Sequence, residues 1–178
     1  MTVFKIANAA NFDFVVRCDT DGQHPVELIP ALVEKAITEK MELLIGSQFT
    51  KMRDPKITQE VPLKRLESTT LSRRIGGWLI RVPLLFFSGG REITDPTSGL
   101  RVYSRSAFLT LLSQMPDEYP EAESIAILLA RRLSVVETLV RMSPRKVGLS
   151  SISGIKSVQF VLKVMSALFG LQIRTLFL

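Results

Sequence analysis

The chain has 178 residues, of which 46% are apolar and 22% are charged, and its formal net charge is +6. This length and composition are typical of one folded domain and exclude a disordered segment. Cys18 is the only cysteine, which excludes an internal disulfide and favours a reducing compartment. The sequence has no block of like charges, so we expect no nucleic-acid partner.

We expect neither a signal peptide nor a membrane-spanning helix. The first residues contain no continuous apolar stretch of the kind that a signal peptide needs. Lys163 and Arg174 interrupt the most apolar region, residues 158–178, and leave far fewer than the ~20 apolar residues of a spanning helix. These features favour a cytoplasmic location.

The first predicted elements are a strand, a helix and a second strand. Phe14–Cys18 is rich in β-branched and aromatic residues, which predicts a buried strand. Apolar residues then recur at helical spacing from Val26 to Ile37, directly after Pro25, a residue suited to a helix start. Leu43–Ile45 predicts the second strand. Because this succession is the building block of a mostly parallel sheet, we expect an α/β fold.

The rest of the chain continues the α/β pattern. Residues 48–68 are polar and contain two prolines, which predicts a loop, and residues 143–153 predict a second polar loop. The further predicted strands are Leu100–Tyr103 and Val135–Met142. The further predicted helices are Thr69–Phe87, bent or ended near Pro83, Arg105–Met115, Glu121–Leu133 and Ile155–Phe177.

Acidic and amide side chains follow the first strand. Asp19 and Asp21, with Gln23 close behind, stand where a strand ends, and ligands of open α/β sheets bind beyond such strand ends. Hard cations such as Mg²⁺ bind one or two carboxylates together with the phosphates of a substrate. The alternative is a turn that caps the strand without any ligand, which is the more frequent use of such a short pattern.

Two further segments carry polar groups in turns. Pro96 and Gly99 predict a tight turn that presents Asp95 and Arg101 together, although an ordinary turn is the alternative. Residues 119–123 (YPEAE) place two carboxylates at a helix start, where they either stabilise the helix dipole or lie within reach of an acceptor hydroxyl.

A basic loop completes the set. Residues 141–151 (RMSPRKVGLSS) contain Arg145 and Lys146, and arginine is suited to bidentate phosphate contacts. A solvated basic loop without a ligand is the alternative.

These segments occur in an order that resembles family 2 glycosyltransferases of the GT-A fold, especially the branch of dolichol-phosphate mannose synthase. The similar segments are VVRCDTDGQHP (15–25), LLIGSQF (43–49), LSRRIGG (71–77), ITDPTSGLRVYSR (93–105), YPEAE (119–123) and VRMSPRKVGLSSI (140–152). The resemblance covers nearly the whole chain. It implies a partial GT-A, Rossmann-like, mixed and mostly parallel sheet flanked by helices.

The resemblance also implies roles for particular residues. The implied ligands of Mg²⁺ or Mn²⁺, which would be held against the donor diphosphate, are Asp19, Asp21 and Gln23. The implied residues near the transferred sugar and the acceptor are Asp95, Glu121 and Glu123, and the choice between the two glutamates stays open. The candidates for contacts with donor or acceptor phosphate are Arg73, Arg101 and Arg145.

The chain departs from the family pattern in two regions. Family members open with strands and a short segment that grips the nucleotide base, and none of this precedes Asn11, where we expect only the helix before the metal-binding strand. Gln48 stands where the family usually has an arginine, and Gly77 where close relatives of the mannose synthase have a serine. We therefore expect the chain alone to bind sugar nucleotides weakly or not at all.

The resemblance implies a metal-dependent, inverting transfer of a sugar from a nucleotide-sugar donor to a polyprenyl phosphate or a cell-surface glycan, as in cell-envelope polysaccharide biosynthesis. The alternative is an inactive truncated remnant or a membrane-associated binding module. We expect a truncated glycosyltransferase domain over residues 1–153 and an apolar C-terminal helix over residues 154–178. This helix is expected to pack partly on the domain and partly on a membrane surface, at the inner face of the cell membrane, and a buried core helix is the alternative.

Overall fold

The computed structural model describes residues 2–20, 22–49, 57, 71–90, 92–114, 120–143 and 155–176, without the side chains at 71–78, 120, 155–161, 172 and 174–176. The strands are β1 (Phe14–Arg17), β2 (Leu43–Ser47), β3 (Arg101–Ser104) and β4 (Val135–Leu139). The helices are α1 (Thr2–Ala9), α2 (Ile29–Thr38), α3 (Leu71–Phe87), α4 (Arg105–Gln114), α5 (Pro120–Ala130) and α6 (Ile155–Leu176).

Most of the predicted elements are present, with small shifts at their ends. A short 3₁₀ turn, Val26–Leu28, precedes α2, and α3 continues through Pro83 to Phe87. Strand β4 ends at Leu139, three residues before the predicted end at Met142. The two predicted polar loops fall almost wholly outside the described residues.

The four strands form one mixed sheet in the order β1-β3-β2-β4. Strand β3 runs antiparallel to both β1 and β2, while β2 and β4 are parallel. The expectation of a mixed α/β sheet is confirmed. The prediction that β1 and β2 belong to a simple strand, helix, strand unit is incomplete, because β3 inserts between them and pairs with both.

Helices cover both faces of this sheet. Leu43, Ile45 and Tyr103 lie in one buried cluster, which also contains residues of α4, α5 and α6 such as Phe108 and Leu168. The alternate strand residues pack on the other face in a second cluster, which includes Leu44, Val102, Leu32 and Ala36. Because side chains alternate across a strand, β2 is buried on both faces, and each of its five residues is buried.

Helix α6 packs on the domain along part of its length. Val164 and Leu168 are buried, whereas Leu162 and Phe169 are 61% and 63% exposed. Part of the apolar side of α6 thus lies outside the core. Among the described residues, no helix is both long and apolar enough to cross a membrane. Contact of α6 with a membrane surface stays a prediction.

Candidate functional site

The strand order brings two of the predicted turns to the same edge of the sheet. Arg17 ends β1 and lies opposite Arg101, which begins the antiparallel β3. The acidic turn that leaves β1 and the turn at residues 95–99 that enters β3 are therefore neighbours. Strands β2 and β4 also end at this edge, because they run in the same direction as β1.

Asp19 lies directly against the turn that enters β3. A Cβ atom at Gly99 would lie 2.0 Å from Asp19 Oδ2, so a larger residue at this position would displace the carboxylate. The Asp19 side chain is 47% exposed, although the adjacent Gly99 is buried. Close backbone approach is a common reason for glycine at a binding site. Asp19 is thus a carboxylate held against the turn and open to solvent on its other side.

Arg17 connects this carboxylate to helix α5. Its Nη2 donates to Glu121 Oε1 at 2.6 Å and lies 3.8 Å from Asp19 Oδ1. Partial burial acts to lower the pKa of Arg17, but the hydrogen bond and the charge of Glu121 raise it above its ordinary value. The Arg17 side chain therefore stays charged and links two of the predicted site carboxylates, Asp19 and Glu121.

His24 lies on the other side of the Asp19 carboxylate. Its Nε2 is 3.8 Å from Asp19 Oδ2, and its side chain is only 6% exposed. Its Nδ1 is buried and has no hydrogen-bond partner within the described part of the chain. The two oxygens of Asp19 thus face different neighbours, Arg17 on one side and His24 on the other.

Asp95 is held at the same sheet edge by a buried glutamate of β4. Glu137 accepts hydrogen bonds from the backbone N–H of Asp95 at 2.7 Å, and from the backbone N–H and hydroxyl of Thr94 at 2.8 and 2.9 Å. The Ser98 hydroxyl fixes the same turn by donating a hydrogen bond to the Gly46 carbonyl of β2 at 2.6 Å. These contacts tie the turn to the ends of β2 and β4.

The environment of Asp95 opposes its ionisation. Burial raises the pKa of Asp95 to about 6, and the nearby Glu137 carboxylate contributes to the rise. A hydrogen bond from the Gln48 backbone and the charges of Arg101 and Arg81 act in the opposite direction. Two acidic side chains in one buried region are costly for stability, and strongly shifted carboxylates cluster at functional sites.

Arg101 is fully buried and bonds to protein groups. Its guanidinium donates to the carbonyls of Ser98, Pro96 and Glu121 at 2.8, 2.7 and 2.8 Å, and to the Ser124 hydroxyl at 2.9 Å. In this structure Arg101 therefore holds the turn against the start of α5. A phosphate contact by Arg101 stays a prediction, and it would require some of these hydrogen bonds to open.

The two glutamates of α5 have different surroundings. Glu121 is paired with Arg17, and its carbonyl accepts from Arg101. Glu123 is 9% exposed, and burial raises the pKa of its carboxyl. Glu121 is thus paired with an arginine, whereas the burial of Glu123 favours its protonated form.

The remaining predicted residues are described only in part. Gln23 donates from Nε2 to the Ser143 carbonyl at 3.4 Å, which joins the acidic turn to the chain after β4. Asp21 and Arg145 lie outside the described residues, and Arg73 belongs to α3 without a described side chain. Their predicted roles stay predictions.

The acidic turn carries side chains of the type that binds a hard cation. Asp19 and Gln23 carry side-chain oxygens, the ligand type that Mg²⁺ and Mn²⁺ prefer. Within the described residues, no group of three or more His, Cys, Asp or Glu side chains could hold a metal ion. A complete ligand set would therefore need further oxygens, such as those of a substrate phosphate.

Three residues of this site were absent from the sequence prediction. Arg17 and His24 flank the acidic turn in the chain, and neither follows a pattern that distinguishes a site residue from a structural one. Glu137 left a clearer signal, because it is the acidic residue inside the apolar strand VVETL. A charge inside a buried strand requires a partner, and here the partners are the backbone and hydroxyl of the turn.

No protein-family model matches the chain. The chain is similar to the UDP-N-acetylglucosamine–dolichyl-phosphate N-acetylglucosaminyltransferase of Methanococcus voltae, with 29% identity over 132 residues. This alignment covers 74% of the chain and 48% of the relative. An uncharacterized protein of Methanocaldococcus jannaschii is 27% identical over 118 residues, which are 66% of the chain and 44% of that protein.

The chain is a distant relative of a glycosyltransferase. This supports the predicted enzyme class in general terms, because the resemblance inferred from the short segments and the similarity over 132 residues agree. The chain spans about half the length of the curated relatives it matches.

Proposed function

We propose that the protein transfers a sugar from a nucleotide-sugar donor to a polyprenyl phosphate, with a divalent cation and with inversion at the anomeric carbon. The observation that carries this proposal is the contact of three separate segments. Asp19 lies against Gly99 and is connected through Arg17 to Glu121. The similarity to an enzyme whose name includes a dolichyl-phosphate substrate favours the polyprenyl-phosphate acceptor.

The acidic turn would bind the donor diphosphate. Asp19 and Gln23, with Asp21, would hold the cation, which when bound neutralises the charge that develops on the departing nucleotide diphosphate. Arg17 keeps the Asp19 carboxylate oriented, because its guanidinium is anchored on Glu121 at 2.6 Å. Gly99 leaves the space that this arrangement needs.

The reaction itself requires little from the protein beyond positioning. The bond between the anomeric carbon and the donor phosphate breaks, and its electron pair leaves with the nucleotide diphosphate. An oxygen of the acceptor phosphate forms the new bond from the opposite face, which inverts the configuration. Since the acceptor phosphate is already an anion, no general base is needed, and Asp95 would position the sugar beside the acceptor.

A glycan acceptor is the second candidate, and one observation favours it. A hydroxyl acceptor needs a base, and a carboxyl with a pKa of about 6, as at Asp95, is suited to take its proton near neutral pH. Transfer to a lipid phosphate and transfer to a glycan hydroxyl thus make different demands on the same side chain.

The location of the protein follows from the proposed acceptor. A polyprenyl phosphate lies in a membrane, so the enzyme would act at a membrane surface, which we propose to be the cytoplasmic, inner face of the cell membrane. Exposed apolar side chains of α3 and α6, such as Phe86 and Phe169, line a shallow groove and would lie toward the lipid.

The test is a transfer assay with the full chain, Mn²⁺, radiolabelled UDP-N-acetylglucosamine and vesicles that contain a polyprenyl phosphate. The donor is supplied at millimolar concentration. We expect label in the lipid-extracted fraction, and loss of that label in Asp19→Asn. A parallel reaction in which a soluble glycan replaces the polyprenyl phosphate distinguishes the two acceptors.

Asp13→Asn is the matched control, because Asp13 is an exposed aspartate just before β1. It should leave transfer unchanged. Label in neither acceptor fraction would contradict the proposed transfer and would favour a membrane-associated binding module. Transfer that persists in Asp19→Asn would contradict the assignment of the acidic turn.

A further inference from the structure

His24 is a buried histidine with an unsatisfied nitrogen. Its side chain is 6% exposed, and its Nδ1 has no hydrogen-bond partner among the residues that the structure describes. A buried polar atom without a partner lowers stability, and such atoms are rare in folded proteins. An aromatic hydrocarbon side chain such as phenylalanine would fill a similar space without this cost. Packing alone therefore does not explain the imidazole.

The other ring nitrogen has a charged neighbour. Nε2 lies 3.8 Å from Asp19 Oδ2, which is longer than a direct hydrogen bond, so the contact is electrostatic. An imidazole nitrogen can carry a proton, and the carboxylate accepts hydrogen bonds only. Nε2 is thus the ring nitrogen that faces Asp19, and Nδ1 is the nitrogen that lies buried on the other side of the ring.

The neighbours of Asp19 surround it on three sides. Arg17 lies 3.8 Å from Oδ1, His24 lies 3.8 Å from Oδ2, and Gly99 supplies the close backbone surface. Two separate neighbours for the two oxygens limit rotation of the carboxylate. The half-exposed side that remains is the side from which a cation can approach.

We propose that His24 is a positioning residue for Asp19, which orients this carboxylate toward a divalent cation at the acidic turn. The inference rests on the proposed function, because that function places a cation at this turn. Residues that orient a metal ligand by contacting it on the side away from the metal strongly affect the affinity for the metal, typically by about 10–100-fold. The unsatisfied Nδ1 is then the consequence of keeping an imidazole at a position where Nε2 is needed.

The test measures Mn²⁺ binding to the full chain by electron paramagnetic resonance, with millimolar UDP to supply the phosphate oxygens that complete the ligand set. The thermal unfolding temperature is measured on the same samples. His24→Phe keeps a ring and removes both nitrogens. We expect its Mn²⁺ affinity to fall about tenfold, while its melting temperature stays unchanged or rises by about 2–4 °C. His24→Gln supplies an N–H at the end of its side chain and should recover most of the affinity.

The outcomes separate this inference from the proposed function. Wild-type protein that binds Mn²⁺, with the same affinity in His24→Phe, would overturn the positioning role alone. Absence of Mn²⁺ binding in the wild type would overturn the cation turn and the positioning role together. A lower melting temperature and lost binding in both variants would make His24 a folding residue and would also overturn the inference.

Discussion

The substitution Asp95→Asn should stabilise the protein at high pH and have no such effect at low pH. Asp95 is 5% exposed, and its pKa is raised from 3.8 to about 6. The folded state therefore binds the proton more tightly than the unfolded state. The stability that this proton contributes is present below about pH 4 and is lost as the pH rises through about 6.

The magnitude follows from the size of the shift. One pKa unit corresponds to about 1.4 kcal/mol, so a shift of about two units corresponds to about 3 kcal/mol. Asparagine has a similar shape, carries no charge and keeps an oxygen that can accept the hydrogen bond from the Gln48 backbone. The free energy of unfolding of Asp95→Asn, relative to wild type, should thus rise by about 3 kcal/mol between pH 4 and pH 8.

Urea unfolding at a series of pH values measures this difference. Asp13→Asn, at an exposed position, controls for the removal of one negative charge from the protein. A stability difference between Asp95→Asn and wild type that does not change with pH would refute the reasoning. A difference that falls as the pH rises would show that Asp95 is stabilised as an anion, in contrast to its buried position beside Glu137.

Three further predictions concern the neighbouring contacts and the apolar surface. Gly99→Ala should displace the adjacent carboxylate, because the new Cβ would lie 2.0 Å from it, and Mn²⁺ binding measured by electron paramagnetic resonance should weaken about tenfold. The control is Gly170→Ala on α6, where a Cβ would meet no described atom within 4 Å, and it should raise stability by about 0.5–1 kcal/mol. A double-mutant cycle with Arg17→Met and Glu121→Gln, measured by urea unfolding, should give a coupling energy of about 1 kcal/mol. The value is small because the Arg17 side chain is 36% exposed and water screens the ion pair. A coupling energy near zero would show that this pair does not fix the site. Phe169→Ser, at a side chain that is 63% exposed, should reduce flotation of the protein with anionic liposomes without lowering its melting temperature. Equal flotation of the variant and the wild type would exclude Phe169 from the membrane contact.

Local sequence was sufficient to predict most of the elements. The apolar run before Asp19 predicted β1, and helical spacing after Pro25 predicted α2, because burial of one face leaves a periodic trace in the sequence. The order of the polar segments pointed to a glycosyltransferase, in agreement with the similarity over 132 residues. The amino-acid types also predicted which acidic turns could carry chemistry, although the separate segments gave no distances between them.

Only the tertiary structure decided which of these groups meet. Strand β3 inserts between β1 and β2, and this pairing, which depends on contacts far apart in the chain, places Gly99 against Asp19. The same packing buries Arg101 among backbone carbonyls and leaves Arg17 to connect Asp19 with Glu121, two residues that are 102 positions apart. The sequence sets the chemical type and the shape of a side chain. The fold decides which distant residues lie beside it, and these determine its burial, its partners and its pKa, as at Asp95.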